Sequence, residues 1–246
     1  MTVCKNWKRI ALSIPALWGA FQIISPCSER LLTVVQRWIQ RAKNRPLSIF
    51  LSGPPDEEVS NLIQLHSQRV NQLDLSILAH PEQDYDQYYH LLAGMEAGTL
   101  SSLRVLRLDG GWRDAFGWIT IHGFLRCAPN LVDCVFENIL TEEYMYPVDE
   151  LVLPNMRRLG FFDSLRPPVL AEACSTSDEI LQFITAPGLV ALTLPMNEIA
   201  TKDLLAFLQR SSPQLRELSL EYGDHIHRDP THLSHLHDCL LHIPTL

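Results

Sequence analysis

Four side chains able to hold a metal, His232, His235, Cys239 and His242, follow one another at spacings of three, four and three, which sets them along one helical face. A zinc site gathers its donors around one ion, whereas the outer pair here would stand about 15 Å apart at ~1.5 Å rise per residue. Only neighbours within the set could share an ion. Leu233, Leu236, Leu240 and Ile243 run parallel one step round the helix, so the histidines are expected to line the rim of a core stripe and no metal is expected. No G-x-S-x-G elbow, G-x-x-x-x-G-K-[ST] phosphate loop, G-x-G-x-x-G turn or H-E-x-x-H pair occurs, so neither an enzyme nor a bound cofactor is expected.

The remaining chemistry is charge and thiol. A net charge of −8 argues against a sequence-independent grip on nucleic acid, which needs lysine and arginine to neutralise phosphates. Cysteines 4, 27, 127, 134, 174 and 239 sit singly with no C-x-x-C pair, a usage that suits reduced thiols in an intracellular protein, cytoplasmic or nuclear. Lys5, Lys8 and Arg9 precede an apolar run from Ile10 to Ile24 in the order of a signal peptide, but Pro15, the unpaired cysteines and the lack of an N-x-[ST] sequon oppose secretion. No other stretch approaches membrane-spanning length, and no membrane contact is expected.

The elements that must position these groups come from a repeated frame, L-x-x-L-x-L, at Leu103/Leu106/Leu108. It recurs at Val70/Leu73/Leu75, Leu131/Cys134/Phe136, Met156/Leu159/Phe161, Leu189/Leu192/Leu194 and Leu215/Leu218/Leu220, with a shorter echo at Leu47/Ile49/Leu51. Successive frames start 25 to 33 residues apart, and a proline leads several of them, as in Pro129-Asn-Leu131, Pro154-Asn-Met156, Pro187-Gly-Leu189 and Pro213-Gln-Leu215. Alternation within each frame predicts a strand with leucines inward, and stacking predicts a parallel sheet whose returns, helices or irregular turns, lie on the opposite side. The expected fold class is therefore α/β, a leucine-rich-repeat solenoid with its parallel sheet on the concave face. Pro244-Thr-Leu246 reads as the start of a truncated last repeat. Helical returns are expected at Leu204/Leu205/Leu208 and Ile180/Phe183/Ile184, and amphipathic helices at Glu29 to Arg41 and after Pro54-Pro55.

The first residues carry a different pattern. Val3, Trp7 and Ile10 share a helical face, a break follows at Ser13-Ile14-Pro15, and Pro15 opens a second short helix or turn ending at Trp18. This stretch resembles the C-terminal half of an F-box, V-C-K-x-W-[RK]-x-[IA]-A-L-x-x-P-x-L-W, as met in fungal, basidiomycete-type F-box proteins with leucine-rich repeats. The family's box begins some two dozen residues earlier with an L-P-x-E-[LI]-[LW] helix, so this chain, starting at Met1 within the motif, is expected to lack the first half. The resemblance implies a partial F-box-like segment at 1–24 followed by the solenoid at 25–246. It also implies a role as substrate receptor of a Skp-cullin-F-box ubiquitin ligase, with Val3, Cys4, Trp7, Leu12, Leu17 and Trp18 on the Skp adaptor. The alternative is a leucine-rich-repeat interaction scaffold unrelated to ubiquitination, its first segment only a cap.

The outward positions of the frame foretell the face offered to a target. They include Asp74, Asp109, Asp133, Glu137, Glu217 and Glu221 against Arg107 and Arg158, with Phe162 among them. Such a face favours a basic partner, with Asp109, Asp133, Glu137, Phe162, Glu217 and Glu221 as its contacts. The tyrosine-rich stretch around Tyr85 and the Pro167 region read as surface insertions, and no regular asparagine ladder is expected, since Gly111, Ser164 and Gly223 stand where the family has asparagine or cysteine and only Asn197 fits.

Overall fold

The structure, a computed structural model, describes residues 4–76, 89–92, 95–110, 116, 118–139, 149–162, 177–195 and 201–221. Val3, the histidine cluster, Asn197, Tyr85, Pro167 and the expected last repeat lie outside the described residues.

Helix formation follows local signals. In α1 (Lys5–Ser13), Pro15 ends the run and starts a 3-10 turn, Pro15–Trp18. For α2 (Glu29–Ala42), Ser28 accepts the Leu31 amide at 3.4 Å, with Glu29 in the first turn and Arg41 in the last. Likewise α3 (Glu57–Leu65) begins at Asp56, whose carboxylate accepts the Val59 amide at 2.8 Å. The helices α4 (Tyr89–Leu92), α5 (Trp118–Cys127) and α6 (Thr201–Ser211) follow.

Every frame lands on a strand. After β1 (Ala20–Ile24) come β2 (Leu47–Ser52), β3 (Val70–Ser76), β4 (Val105–Asp109), β5 (Asp133–Glu137), the two-residue β6 (Leu151–Val152), β7 (Arg158–Phe162), the two-residue β8 (Ile184–Thr185), β9 (Ala191–Pro195) and β10 (Glu217–Glu221). One eight-stranded sheet runs β1-β2-β3-β4-β5-β7-β9-β10, each strand parallel to the one before it, and β6 pairs with β8 in a separate two-stranded ribbon. Parallel strands laid down in chain order with crossovers of one hand carry their connections on one face. Leu73, Leu106, Cys134, Leu159 and Leu192 form one buried row across that face, and Leu51, Leu75, Leu108, Phe136 and Phe161 the next. Val35, Val59, Phe124 and Phe207 from the helices join them in one core, where Phe136 stacks on Phe161 at 5.4 Å.

The proline leader has a structural reason. Leu131, Met156 and Leu189 each donate to the carbonyl three residues back, of Ala128, Leu153 and Ala186, at 3.2 to 3.3 Å, which puts Pro129, Pro154 and Pro187 second in a tight turn where their fixed φ fits. The next amide then bonds backward along the array: Arg104 to Asn71, Val132 to Arg104, Arg157 to Val132, Val190 to Arg157 and Arg216 to Val190, all at 2.8 to 2.9 Å. Side chains repeat the tie, as Asn130 reaches the Ser101 carbonyl and Asn155 reaches the Asn130 side chain. Each unit is thus fastened to its predecessor at the N-terminal rim of the sheet.

Two expectations need correcting. The boundary after residue 24 falls behind a strand of the sheet: Phe21 and Ile23 are buried, β1 pairs with β2, and the Gly19 carbonyl accepts the Ser48 amide. The helical segment therefore ends at Gly19. The spacing of Ile180, Phe183 and Ile184 gives not an α-helix but a 3-10 segment, Ser177–Phe183, running into β8. The Arg210 guanidinium takes the Leu181 and Ile184 carbonyls at 2.6 and 2.8 Å, acceptors that a helix would give to its own amides, and pairs with Glu150 at 3.1 Å.

Candidate protein-interaction site

Two surfaces carry the residues singled out above. The first is the N-terminal helical segment. Its helix α1 buries no residue, and Trp7, Ile10, Leu12, Ile14 and Leu17 are 41 to 67% exposed. A nine-residue helix is marginal alone, so something must hold it to the body. That hold is Trp18. Its indole N–H donates to the Ala11 carbonyl at 2.8 Å, its ring meets Trp38 of α2 edge-on at 5.7 Å, and Arg41 lies 4.6 Å from its centre. Of the expected adaptor set, Cys4, Trp7, Leu12 and Leu17 are exposed, whereas Trp18 is turned inward as the bracket of the segment. Ile10 and Ile14 are exposed apolar residues of the same segment, although the adaptor set implied by the resemblance does not include them. Lys5, Lys8 and Arg9 flank the patch, and no carboxylate occurs before Glu29.

The second surface is the face of the sheet away from the helices. Register lines up Gln72, Val105, Asp133, Arg158, Ala191 and Glu217 in one row, and Gln22, Phe50, Asp74, Arg107, Val135, Gly160, Thr193 and Ser219 in the next. A third row runs Ile24, Ser52, Ser76, Asp109, Glu137, Phe162. Carboxylates therefore do concentrate on the middle strands. Asp133, partly buried, meets the exposed Arg158 at 3.8 Å, a long and solvent-screened pair that contributes little to stability. Asp109 is less available than its sequence position suggests: Ser76 donates to one oxygen at 3.2 Å and Asn138 to the other at 3.0 Å. Asn138, which the frame does not mark, sits at φ 51° in the left-handed region that asparagine tolerates, and this turns its amide toward Asp109. Phe162 packs against Gly160, where a side-chain carbon would stand 2.7 Å from the phenyl ring, so the missing side chain leaves the ring its place. Glu217 is exposed, and Glu221 ends β10 beside Pro195.

Partial burial raises the pKa of Asp74; Arg107 beside it opposes the rise, while Asp109 and Glu137 add to it. A carboxyl whose folded pKa lies above its unfolded one holds its proton more tightly when folded. Its contribution to stability is greatest below the unfolded pKa and is lost as pH rises through the folded one. At neutral pH ionised Asp74 therefore works against the fold. Asp74→Asn is expected to raise the urea midpoint at neutral pH, with the gain over wild type shrinking below the ordinary carboxylate range. A gain that stays constant with pH would remove charge as the cause.

Burial pushes the thiol pKa of Cys134 up, and among the described residues Cys4, Cys27, Cys127 and Cys134 are free. No group of three metal-ligating side chains and no helix long and apolar enough to cross a membrane occurs among the described residues. Fold and surfaces together define a mixed α/β protein with a one-sided parallel sheet and an exposed amphipathic helix at its start. Comparison with protein-family models, curated proteins and solved structures found no match to this chain.

Proposed function

We propose that this chain is a leucine-rich-repeat substrate receptor, in which the N-terminal segment docks a Skp-type adaptor of a ubiquitin ligase and the open face of the sheet holds a basic target. The observation that carries the first half is a helix with no buried residue and an apolar face in solvent, braced from behind by Trp18. Soluble proteins rarely leave contiguous apolar surface without a partner. The flanking Lys5, Lys8 and Arg9 give that dock a cationic rim, so the adaptor surface that fits it is an apolar groove edged with carboxylates. Co-precipitation of the whole chain with a purified Skp adaptor tests the reading. Failure to bind, with target capture by the sheet retained, favours the scaffold reading in which the segment is only a cap.

The second half rests on Asp133, Glu137 and Glu217 with Phe162 as apolar anchor, Asp109 being held within the sheet. Binding of a fluorescent oligolysine peptide should weaken steeply with salt. Asp133→Lys with Glu137→Lys should lower its affinity at low salt about tenfold and flatten the salt dependence. Affinity equal to that of the wild type at every salt concentration in that double variant would move the contact to the residues around Tyr85 or Pro167.

A further inference from the structure

At the N-terminal ends of β2, β3 and β4, on the rim of the sheet, a groove of about 300 Å³ opens between Asn44, Gln68, Arg69, Asn71, Ser101 and Arg104. No carboxylate lines it among the described residues, although the chain carries a net charge of −8. Two arginines line it from successive units. Each is fixed by one bond to the main chain: Arg69 Nη2 donates to the Arg45 carbonyl at 3.2 Å and Arg104 Nη1 to the Asn130 carbonyl at 3.0 Å. Neither forms an ion pair among the described residues, and the buried Nε of Arg69 has no acceptor there. The walls are braced as well, since Asn71 donates to the Ser102 carbonyl at 3.1 Å, Gln68 to the Thr99 carbonyl at 3.0 Å, and Ser101 to the Gln68 side chain at 2.7 Å. Positive charge held in place without a counter-charge, in a concave polar setting, is what an oxyanion requires.

We infer that this groove binds a phosphoryl group, held between the Arg69 and Arg104 guanidiniums with Asn44 as a further donor. A carboxylate is satisfied by one guanidinium fork, whereas a phosphate monoester carries close to two charges and three acceptor oxygens and so matches two guanidiniums from separate turns. The phosphoryl group has two sources, a phosphorylated side chain of a protein or a free phosphate.

Calorimetric titration of the whole chain with inorganic phosphate, N-acetyl-O-phosphoserine amide and N-acetylserine amide tests the inference. Both phosphorylated probes should bind and the third should not. Tighter binding of the phosphoserine amide marks a protein-borne group, and equal binding a free phosphate. Arg104→Gln should weaken both about tenfold, the loss of one charge-assisted pair. Arg104 is exposed, so this variant should fold. Arg157→Gln is the control: it occupies the same place in its frame, bonds the Gly188 carbonyl at 3.0 Å and does not line the groove, so it should leave the affinities unchanged. The inference is overturned if neither phosphorylated probe binds, if Arg157→Gln weakens them as much as Arg104→Gln does, or if a single-stranded oligonucleotide competes better than phosphoserine.

Discussion

Alanine at both Trp7 and Leu17 is expected to weaken capture of a Skp-type adaptor by at least about a hundredfold while leaving thermal unfolding unchanged. A buried tryptophan anchor in a protein interface contributes roughly 2 kcal/mol or more when truncated and a buried leucine roughly 1 kcal/mol, together about the free energy of a hundredfold change. Stability is untouched because both side chains already stand in water in the free chain. Trp18→Ala should behave differently. Its ring bridges Ala11, Trp38 and Arg41, so its removal unties α1 from α2 and costs roughly 2–3 kcal/mol, below the range for a fully buried tryptophan. Measured side by side, the first variant separates binding from folding and the second couples them. Full adaptor binding by the Trp7/Leu17 double variant would exclude this segment as the dock.

Gly110→Ala is expected to destabilise the fold by about 3 kcal/mol, enough to lower the melting temperature by roughly 6–12 °C in a chain of this size. Gly110 follows β4, donates to the Glu137 carbonyl at 2.8 Å and passes so close to the next unit that an added Cβ would stand 2.3 Å from the Asn138 carbonyl oxygen. Asn138 has little room to retreat: its amide N–H is bonded to the Phe162 carbonyl at 2.8 Å, its side chain holds Asp109, and its own φ is 51°. The obstacle is backbone on backbone, which rotamer changes cannot relieve. Gly98 offers the contrast, with φ +80° but nothing within 4 Å of the added carbon. Alanine there should cost only about 1 kcal/mol, the conformational penalty by itself. Near-equal losses at the two positions in urea melts would show that contact at Asn138 does not set the spacing between units.

Most of the sheet was legible in the sequence because a half-buried strand has a period of two, and a frame of leucines repeated with a proline leader leaves little choice of register. Leu73, Leu106, Leu159 and Leu192 fall in one row since each must meet the same neighbour in the unit before it. The acidic character of the outward rows was equally legible, being the complement of the same alternation. What escaped was decided by neighbours remote in the chain. Ala20–Ile24 contains only Phe21 and Ile23 as an inward pair and lacks the leading leucine, so it became a strand only because β2 lay ready to pair with it. The 3-10 path of Ser177–Phe183 depends on Arg210 reaching its carbonyls from a helix that begins some two dozen residues later. The division of the N-terminal aromatics was likewise tertiary. Trp7 and Trp18 are the same residue type within one short motif, and the position of Trp38 on α2 made one of them a bracket and left the other to solvent. The sequence by itself determined which side chains alternate and therefore where the strands, the core rows and the acidic face lie. Only the tertiary structure decided which polar groups are already bonded, Asp109 by Ser76 and Asn138, and which arginines, Arg69 and Arg104, line a groove that has no carboxylate among the described residues, because hydrogen bonds between units join residues some 30 positions apart and leave no local signal.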